Sequence, residues 1–256
     1  MRLARAKKLT GRDCHLDLSQ PCIMGVLNIT PDSFSDGGRY QNVNVAVRQG
    51  LDMQQQGAAL LDIGGESTKP GSLPVSADEE LARIIPVIEG LRQETDLPLS
   101  VDTSKAVVAR TAMDAGANFI NDISGLTFDL EMSKVAVETD AGLFLMHTSA
   151  RPEVMQQQTE YQDLLAEVVA SLQQSIHLAL VAGVERSRLA VDPGIGFGKS
   201  VLGNLDLLHH LDHLHQLECP ILLGTSRKSF IGAILDQDDP QQRLYGTLAT
   251  VALGVS

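Results

Sequence analysis

Seven short apolar runs each end in small or polar residues: Ile23-Met-Gly-Val-Leu-Asn28, Leu60-Leu-Asp62-Ile-Gly-Gly65, Leu99-Ser-Val-Asp102, Phe119-Ile-Asn121-Asp122, Leu143-Phe-Leu-Met146-His147, Leu189-Ala-Val-Asp192 and Ile221-Leu-Leu-Gly-Thr-Ser226. A stretch long enough for a helix follows each run. Strands alternating with helices imply a parallel sheet, whose strands are buried on both faces and read as continuous apolar runs. Repeated this often, the pattern predicts an α/β chain of the (β/α) barrel type, with the C-terminal strand ends lining one pocket. Asn28, Asp62, Asp102, Asn121, His147 and Asp192 then converge.

The segments between runs carry helix signals. Ser76 and Glu79 form an S-x-x-E capping box, followed by Leu81, Ile84, Ile85, Ile88 and Leu91 at helical spacing. Asn42 to Gly57 and Lys105 to Gly116 read as helices stopped by glycine, and Tyr161 to Ile176 gives the longest apolar stripe. Residues 1–20 fit no βα unit and are expected to cap the barrel bottom, as a hairpin or otherwise. Residues 1–256 read as a single domain, without an interdomain linker. After the seventh run, Gln241 to Ser256 begins a helix, so the expectation is a barrel lacking its eighth strand and last helix within this chain. Two sheet edges would then be unpaired.

Net charge of −12 argues against a nucleic-acid partner, because phosphate contacts need clustered Lys and Arg. Any anionic ligand needs a local positive site. Cys14, Cys22 and Cys219 form no C-x-x-C pair and read as reduced thiols of a cytoplasmic protein. The basic segment Met1 to Lys8 leads into no apolar stretch, and no apolar run approaches the roughly 20 residues that span a bilayer. No membrane partner is expected.

Four loops carry the candidate chemistry. Asn28 to Gly38 contains Asp32, Phe34 and Asp36, and reads either as a flap holding Mg²⁺ through oxygen ligands or as a solvated turn. Gly64 to Gly71 offers Ser67, Thr68 and Lys69 to an anion. Asp192 to Lys199 combines a carboxylate with Gly194, Gly196 and Gly198, a spacing that matches no Walker or dinucleotide pattern. Ser226-Arg-Lys-Ser229 opens a helix with two cations and two hydroxyls, suited to an anion. Asp62, Asp102 and Asp192 have an alternative reading as helix caps. His147 reads equally as a hydrogen-bonded core residue or a ligand contact, and Lys199 as a solvated loop lysine. His209, His210, His213 and His215 are expected on a solvated helical face rather than around a metal.

Taken in order, Asn28-Ile-Thr-Pro-Asp-Ser-Phe-Ser-Asp-Gly-Gly38, Asp62 to Ser67, Val101-Asp-Thr-Ser104, Asn121-Asp-Ile, Asp192-Pro-Gly-Ile-Gly-Phe-Gly198 and Ser226 to Ser229 resemble the dihydropteroate synthases of folate biosynthesis. The resemblance runs from the first strand to the end of the chain. It implies a (β/α)8 barrel, a homodimer, Mg²⁺ as cofactor and sulfonamide drugs as ligands. The implied reaction joins 6-hydroxymethyl-7,8-dihydropterin diphosphate to 4-aminobenzoate, giving 7,8-dihydropteroate and pyrophosphate.

By the same resemblance, Asp192 takes the guanidine-like edge of the pterin, Asp102 and Asn121 other ring nitrogens, and Lys228 the ring acceptors. Met146 and Phe197 contact the ring faces, and Asp62 orients neighbours without touching the ring. Asn28, Thr68 and Lys69 hold the diphosphate, with Asn28 on the metal. Phe34, Pro70 and Ser229 hold the aminobenzoate. The implied catalytic residues are Asp36, Lys228 and Asp102, with Asp36 stabilising a cation on the exocyclic methylene. Lys69 stands where the family usually has Arg, which keeps the charge and loses the bidentate fork. The family's terminal Arg-x-His strand has no counterpart here, which bears on leaving-group binding and barrel closure but not on pterin recognition. The rival readings are a methyltetrahydrofolate:corrinoid methyltransferase, which needs neither the Asn28 flap nor the Ser226–Ser229 site, and a non-catalytic pterin-binding protein.

Overall fold

The computed structural model describes residues 7–30 and 39–255. An antiparallel hairpin comes first, β1 (Lys8–Gly11) and β2 (Cys14–Asp17), with Leu9 opposite Leu16. Six parallel strands follow in sequence order, β3 (Ile23–Asn28), β4 (Ala58–Gly64), β5 (Leu99–Asp102), β6 (Phe119–Asp122), β7 (Gly142–Met146) and β8 (Leu189–Asp192). Between and after them lie α1 (Arg39–Gln55), α2 (Ala77–Glu94), α3 (Ala106–Asp114), α4 (Met132–Glu138), α5 (Leu164–Ala182), α6 (Val201–His209), α7 (Ser229–Leu235) and α8 (Leu244–Val255).

Alternation along each strand sorts side chains between two faces. Leu61, Ile63, Leu99, Val101, Ile120, Leu143, Leu145, Leu189 and Val191 are buried in one cluster with Ile84, Ile88 and Leu91 of α2 and Val168, Leu172 and Ile176 of α5. The other face is divided by height. Near the strand starts, Leu60, Phe119, Phe144 and Ala190 pack with Leu9 and Leu16 of the hairpin. Further along the same face come Asp62, Asp102, Asn121, Met146 and Asp192. The hairpin caps the barrel bottom as expected, and its fit is tight: a Cβ on Gly142 would stand 2.3 Å from the Phe119 ring and 2.7 Å from the Thr10 carbonyl. Arg188 adds a bond to the Gly11 carbonyl.

The Ser76 hydroxyl accepts from the Glu79 amide and caps α2, while α1 and α3 stop at Gly57 and Gly116, with φ of +102° and +115°. One expectation needs correction. The seventh run, Ile221–Ser226, is not a strand; it joins β8 by a single bridge, Val191 to Ile221. Its pairing bonds are Val191 N–H to Pro220 O and Leu222 N–H to Val191 O. At Thr225 the chain turns instead to α8, through the Thr250 hydroxyl at 2.9 Å. Among the described residues no strand pairs with the outer edge of β3, where Ile23 and Val26 are 59% and 48% exposed. One helix, α5, has 19 residues with a mean hydropathy of 1.5 and passes for a bilayer span by length and composition alone. It carries Glu167 and His177, and packs Val168, Leu172 and Ile176 into the core.

Candidate active site

The strand register sets the site. Asn28 is level with Gly64, Gly64 with Asp102, and Asp102 with Asn121, so β3 to β6 present a polar row at their C-terminal ends. Across the sheet, Met146 is level with Asp192. Gly64 sits directly beside Asp102, where even a Cβ would lie in ordinary contact, 3.4 Å from the carboxylate. Asn121 Nδ2 donates to Asp62 Oδ2 at 2.8 Å. Asp62 Oδ1 and Asp102 Oδ1 are buried and have no hydrogen-bond partner among the described residues. Orphaned buried acceptors are costly and mark a place where a polar ligand completes the bonding.

Burial raises the pKa of Asp62, with Ser100 and Asn121 opposing the shift. Burial and the neighbouring Asp62 carboxylate lift Asp102 well above the usual carboxylate range. Asp122, beside Asn121, is satisfied internally by the Ser124 amide and hydroxyl and the Leu126 amide. Asp62, Asp102 and Asp192 cap no helix: the N-caps of α3 and α6 are Lys105 and Ser200.

Asp192 Oδ1 accepts from the Gly194 amide at 2.6 Å inside the loop that it begins. Burial raises its pKa, while the Gly194 amide, Lys228 and Lys199 oppose that shift. Lys228 lies with its ammonium 4.1 Å from the Phe197 ring centroid, and burial, opposed by Asp192 and Asp102, lowers its pKa to about 8. The loop needs its glycines: Gly194 has φ +69°, and a Cβ there would stand 1.9 Å from the His147 carbonyl. Met146 and Phe197 share an apolar cluster with Ile123 and Met155 beside the polar row.

The remaining candidates are more peripheral. Asn28 is exposed, Thr68 half-buried, and Lys69, Pro70 and Ser229 exposed. Ser229 is the first residue of α7. Asp32, Phe34 and Asp36 lie outside the described residues. Among the described residues no group of three or more His, Cys, Asp or Glu could hold a metal. The histidine-rich segment is broken at His210, between α6 and a 3₁₀ turn over Leu211–Leu217, with His209 and His213 exposed.

Lys199 corrects the reading as a solvated loop lysine. It is 4% exposed, and its ammonium meets His147 Nδ1 at 2.9 Å and donates to the Phe197 carbonyl at 2.9 Å. No spacing in the sequence signals that pair. A second network was legible in part. Glu80 sits on the buried stripe of α2 with Ile84, Val87, Ile88 and Leu91 and is fully buried. Lys105 reaches it at 2.6 Å and also bonds Glu66 of the loop after β4. A carboxylate on an apolar stripe is the signal for such a partner.

Comparison with known proteins agrees with this geometry. The profile of the family described as pterin binding enzyme matches residues 24–256. The dihydropteroate synthase of Synechocystis is 48% identical over 234 residues, spanning 91% of this chain and 81% of its own. That of Escherichia coli is 43% identical over 246 residues, spanning 96% and 86%. Among solved structures, Yersinia pestis dihydropteroate synthase in a sulfonamide drug complex superimposes with a TM-score of 0.90 at 45% identity, covering 96% of this chain and 89% of that one. The Xanthomonas albilineans enzyme with 7,8-dihydropteroate gives 0.86 at 42% identity, covering 96% and 88%.

Proposed function

The chain belongs to the pterin binding enzymes and, among them, to the dihydropteroate synthases, and from that membership we propose how its own residues divide the reaction. It is a transferase of folate biosynthesis: the bond between the pterin methylene and the diphosphate oxygen breaks, and the methylene bonds to the amine of 4-aminobenzoate. The amine loses a proton, and pyrophosphate leaves.

The observation that carries the assignment of residues is the meeting of three strand-end groups, Asp102, Asn121 and Asp192, with Lys228 around orphaned carboxylate oxygens. A pterin can supply the partner that Asp102 Oδ1 lacks. Its guanidine-like edge offers two parallel N–H donors, which the buried Asp192 carboxylate accepts in charge-assisted bonds. Asp102, holding its proton more tightly than an ordinary carboxylate, can donate to one ring nitrogen or accept from another, and Asn121 is held in orientation by Asp62. Lys228 donates to the ring acceptors, while Met146 and Phe197 flank the ring.

Asn28, Thr68 and Lys69 take the diphosphate, and Pro70 and Ser229 the aminobenzoate, together with Phe34. Asp36 faces the methylene cation in this scheme. The donors fit Mg²⁺ as an ion carried on the diphosphate, since Mg²⁺ is commonly held by few protein oxygens plus substrate phosphates, and Asn28 offers one exposed amide oxygen. When bound, the ion would neutralise charge building on the leaving group. We further read the chain as one barrel domain working as a cytoplasmic homodimer without nucleic-acid or membrane partners. The exposed apolar Leu244, Tyr245, Leu248 and Leu253 of α8 support association, and the net charge of −12 opposes nucleic-acid binding.

The test is Asp192→Asn, titrated with 6-hydroxymethylpterin. The amide keeps the shape and replaces one acceptor with a donor facing the ring N–H groups. Binding is expected to vanish; near-native affinity in the folded variant would sink the assignment of Asp192 to the ring edge.

A further inference from the structure

We infer that Lys199, acting with His147, is a positioning residue for pterin recognition, fixing the loop that presents Asp192 and Phe197 to the ring. The inference rests on the reading of Asp192 as the residue that takes the pterin edge.

Within the loop Asp192 Oδ1 accepts from the Gly194 amide and the Gly194 carbonyl from the Phe197 amide, and Asn204 Oδ1 of α6 accepts from the Gly196 amide. Gly194, Gly196 and Gly198 all have positive φ, at +69°, +83° and +62°. Three glycines give close backbone approach at the cost of conformational freedom, so the arc requires tethers. On its outer side Gln156 donates to the Gly196 carbonyl at 3.0 Å and the Tyr161 hydroxyl to the Gly198 carbonyl at 2.8 Å. The inner tether is Lys199. Its ammonium donates to the Phe197 carbonyl at 2.9 Å, meets His147 Nδ1 at 2.9 Å and lies 3.4 Å from the His147 carbonyl. His147 in turn donates its amide to the Asp192 carbonyl at 3.0 Å. One buried cation thus joins the end of β7 to both ends of the loop.

The same charge acts on the carboxylate. Asp192 is buried, and Lys228 and Lys199 both favour its ionised form, which is the form that accepts two ring N–H donors. Lys228 already lies over the Phe197 ring, and the Phe197 carbonyl is held by Lys199, so the two lysines bracket one residue. A lysine left in the interior is maintained only by good partners. Here burial, with Asp192 opposing it, lowers the ammonium's pKa to about 7. The N–H donors of Lys199 are directed at protein acceptors, which makes it a positioning group and not one that touches the reacting atoms.

The experiment compares the wild-type chain with Lys199→Met and Lys199→Gln. The readouts are 6-hydroxymethylpterin affinity by calorimetry, kcat and KM for both substrates, and the melting temperature without ligand. Wild type should bind the pterin, and Lys199→Met should bind it about 10- to 100-fold more weakly. The KM for 4-aminobenzoate at saturating pterin diphosphate should stay within about twofold, because that substrate meets other loops. Lys199→Gln, which retains a donor for the Phe197 carbonyl, should recover part of the loss. If Lys199→Met does not fold, the glutamine variant carries the test, with weakened pterin binding supporting the inference. Unchanged pterin affinity in a folded variant, or equal losses for both substrates, would overturn it. A wild-type chain that binds no pterin would overturn the site reading itself, and this inference with it.

Discussion

Asp192, Asp102 and Asn121 could be picked out from sequence because each closes a hydrophobic run at a strand end, where a barrel gathers its chemistry, and Lys228 because it lies in the Ser226–Ser229 motif that carries the family resemblance. His147 reads at a strand end as either a hydrogen-bonded core residue or a ligand contact, and it is buried and bonded, but its pairing with Lys199 could not be read the same way. Their pairing joins two loops 52 residues apart, and nothing local distinguishes a lysine buried by its own loop from a lysine in water. That burial has a measurable consequence. Desolvation, with the Lys199 ammonium beside it, holds the His147 pKa down to about 3, against about 6.5 in an unfolded chain. A folded-state pKa below the unfolded value gives stability that is full above pH ~6.5 and is lost as the pH falls towards 3. The melting temperature of wild type should therefore fall more steeply between pH 7.5 and 5 than that of His147→Gln. The buried carboxylates act in the opposite direction but are common to both proteins. Lys199, its pKa lowered to about 7, titrates beside the histidine in the same range, so the same pair of curves is also compared in the Lys199→Met background, where only the histidine differs. Parallel curves would show that His147 is not buried in its neutral form.

At the scale of elements, the strands and helices followed from period and punctuation: six of the seven apolar runs are strands, and the capping serine and stopping glycines fall where expected. The seventh run failed as a strand because apolar composition signals burial, whereas a ladder also needs partners; this segment has β8 on one side and turns away at Thr225. The loop after β4 is held by a network that only the helical stripe hinted at. Lys105 ties Glu66 in that loop to the fully buried Glu80 of α2, and Glu66 accepts from the Val75 amide. Removing the lysine would leave Glu80 buried without its cation, a type of change that costs about 3–5 kcal/mol. Since Lys105 is a quarter exposed, the lower end applies. Lys105→Met should destabilise the chain by about 3 kcal/mol in denaturant titration, and Glu66→Gln, which keeps a hydrogen-bonding partner, by much less. Equal losses would mean that the buried Glu80 charge does not set the cost.

The molecule as a whole separates stability from chemistry by height. The hairpin of β1 and β2 and the Phe119–Phe144 cluster close the lower barrel, and one strand layer further the same inward face turns polar. The acidic net charge makes Lys69, exposed on its loop, the expected anchor for the anionic end of a ligand, while the half-buried Lys228 beside Asp192 serves the ring. Fold and function were legible together because one alternation, apolar then polar along the inward faces of β4, β6 and β8, encodes both. The most direct measurement is pyrophosphate release by this 256-residue chain, supplied with the pterin diphosphate, 4-aminobenzoate and Mg²⁺ and then with each omitted in turn. Release that requires all three is the predicted result. Tight pterin binding with no pyrophosphate released under any combination would contradict the claim that this chain is a working synthase.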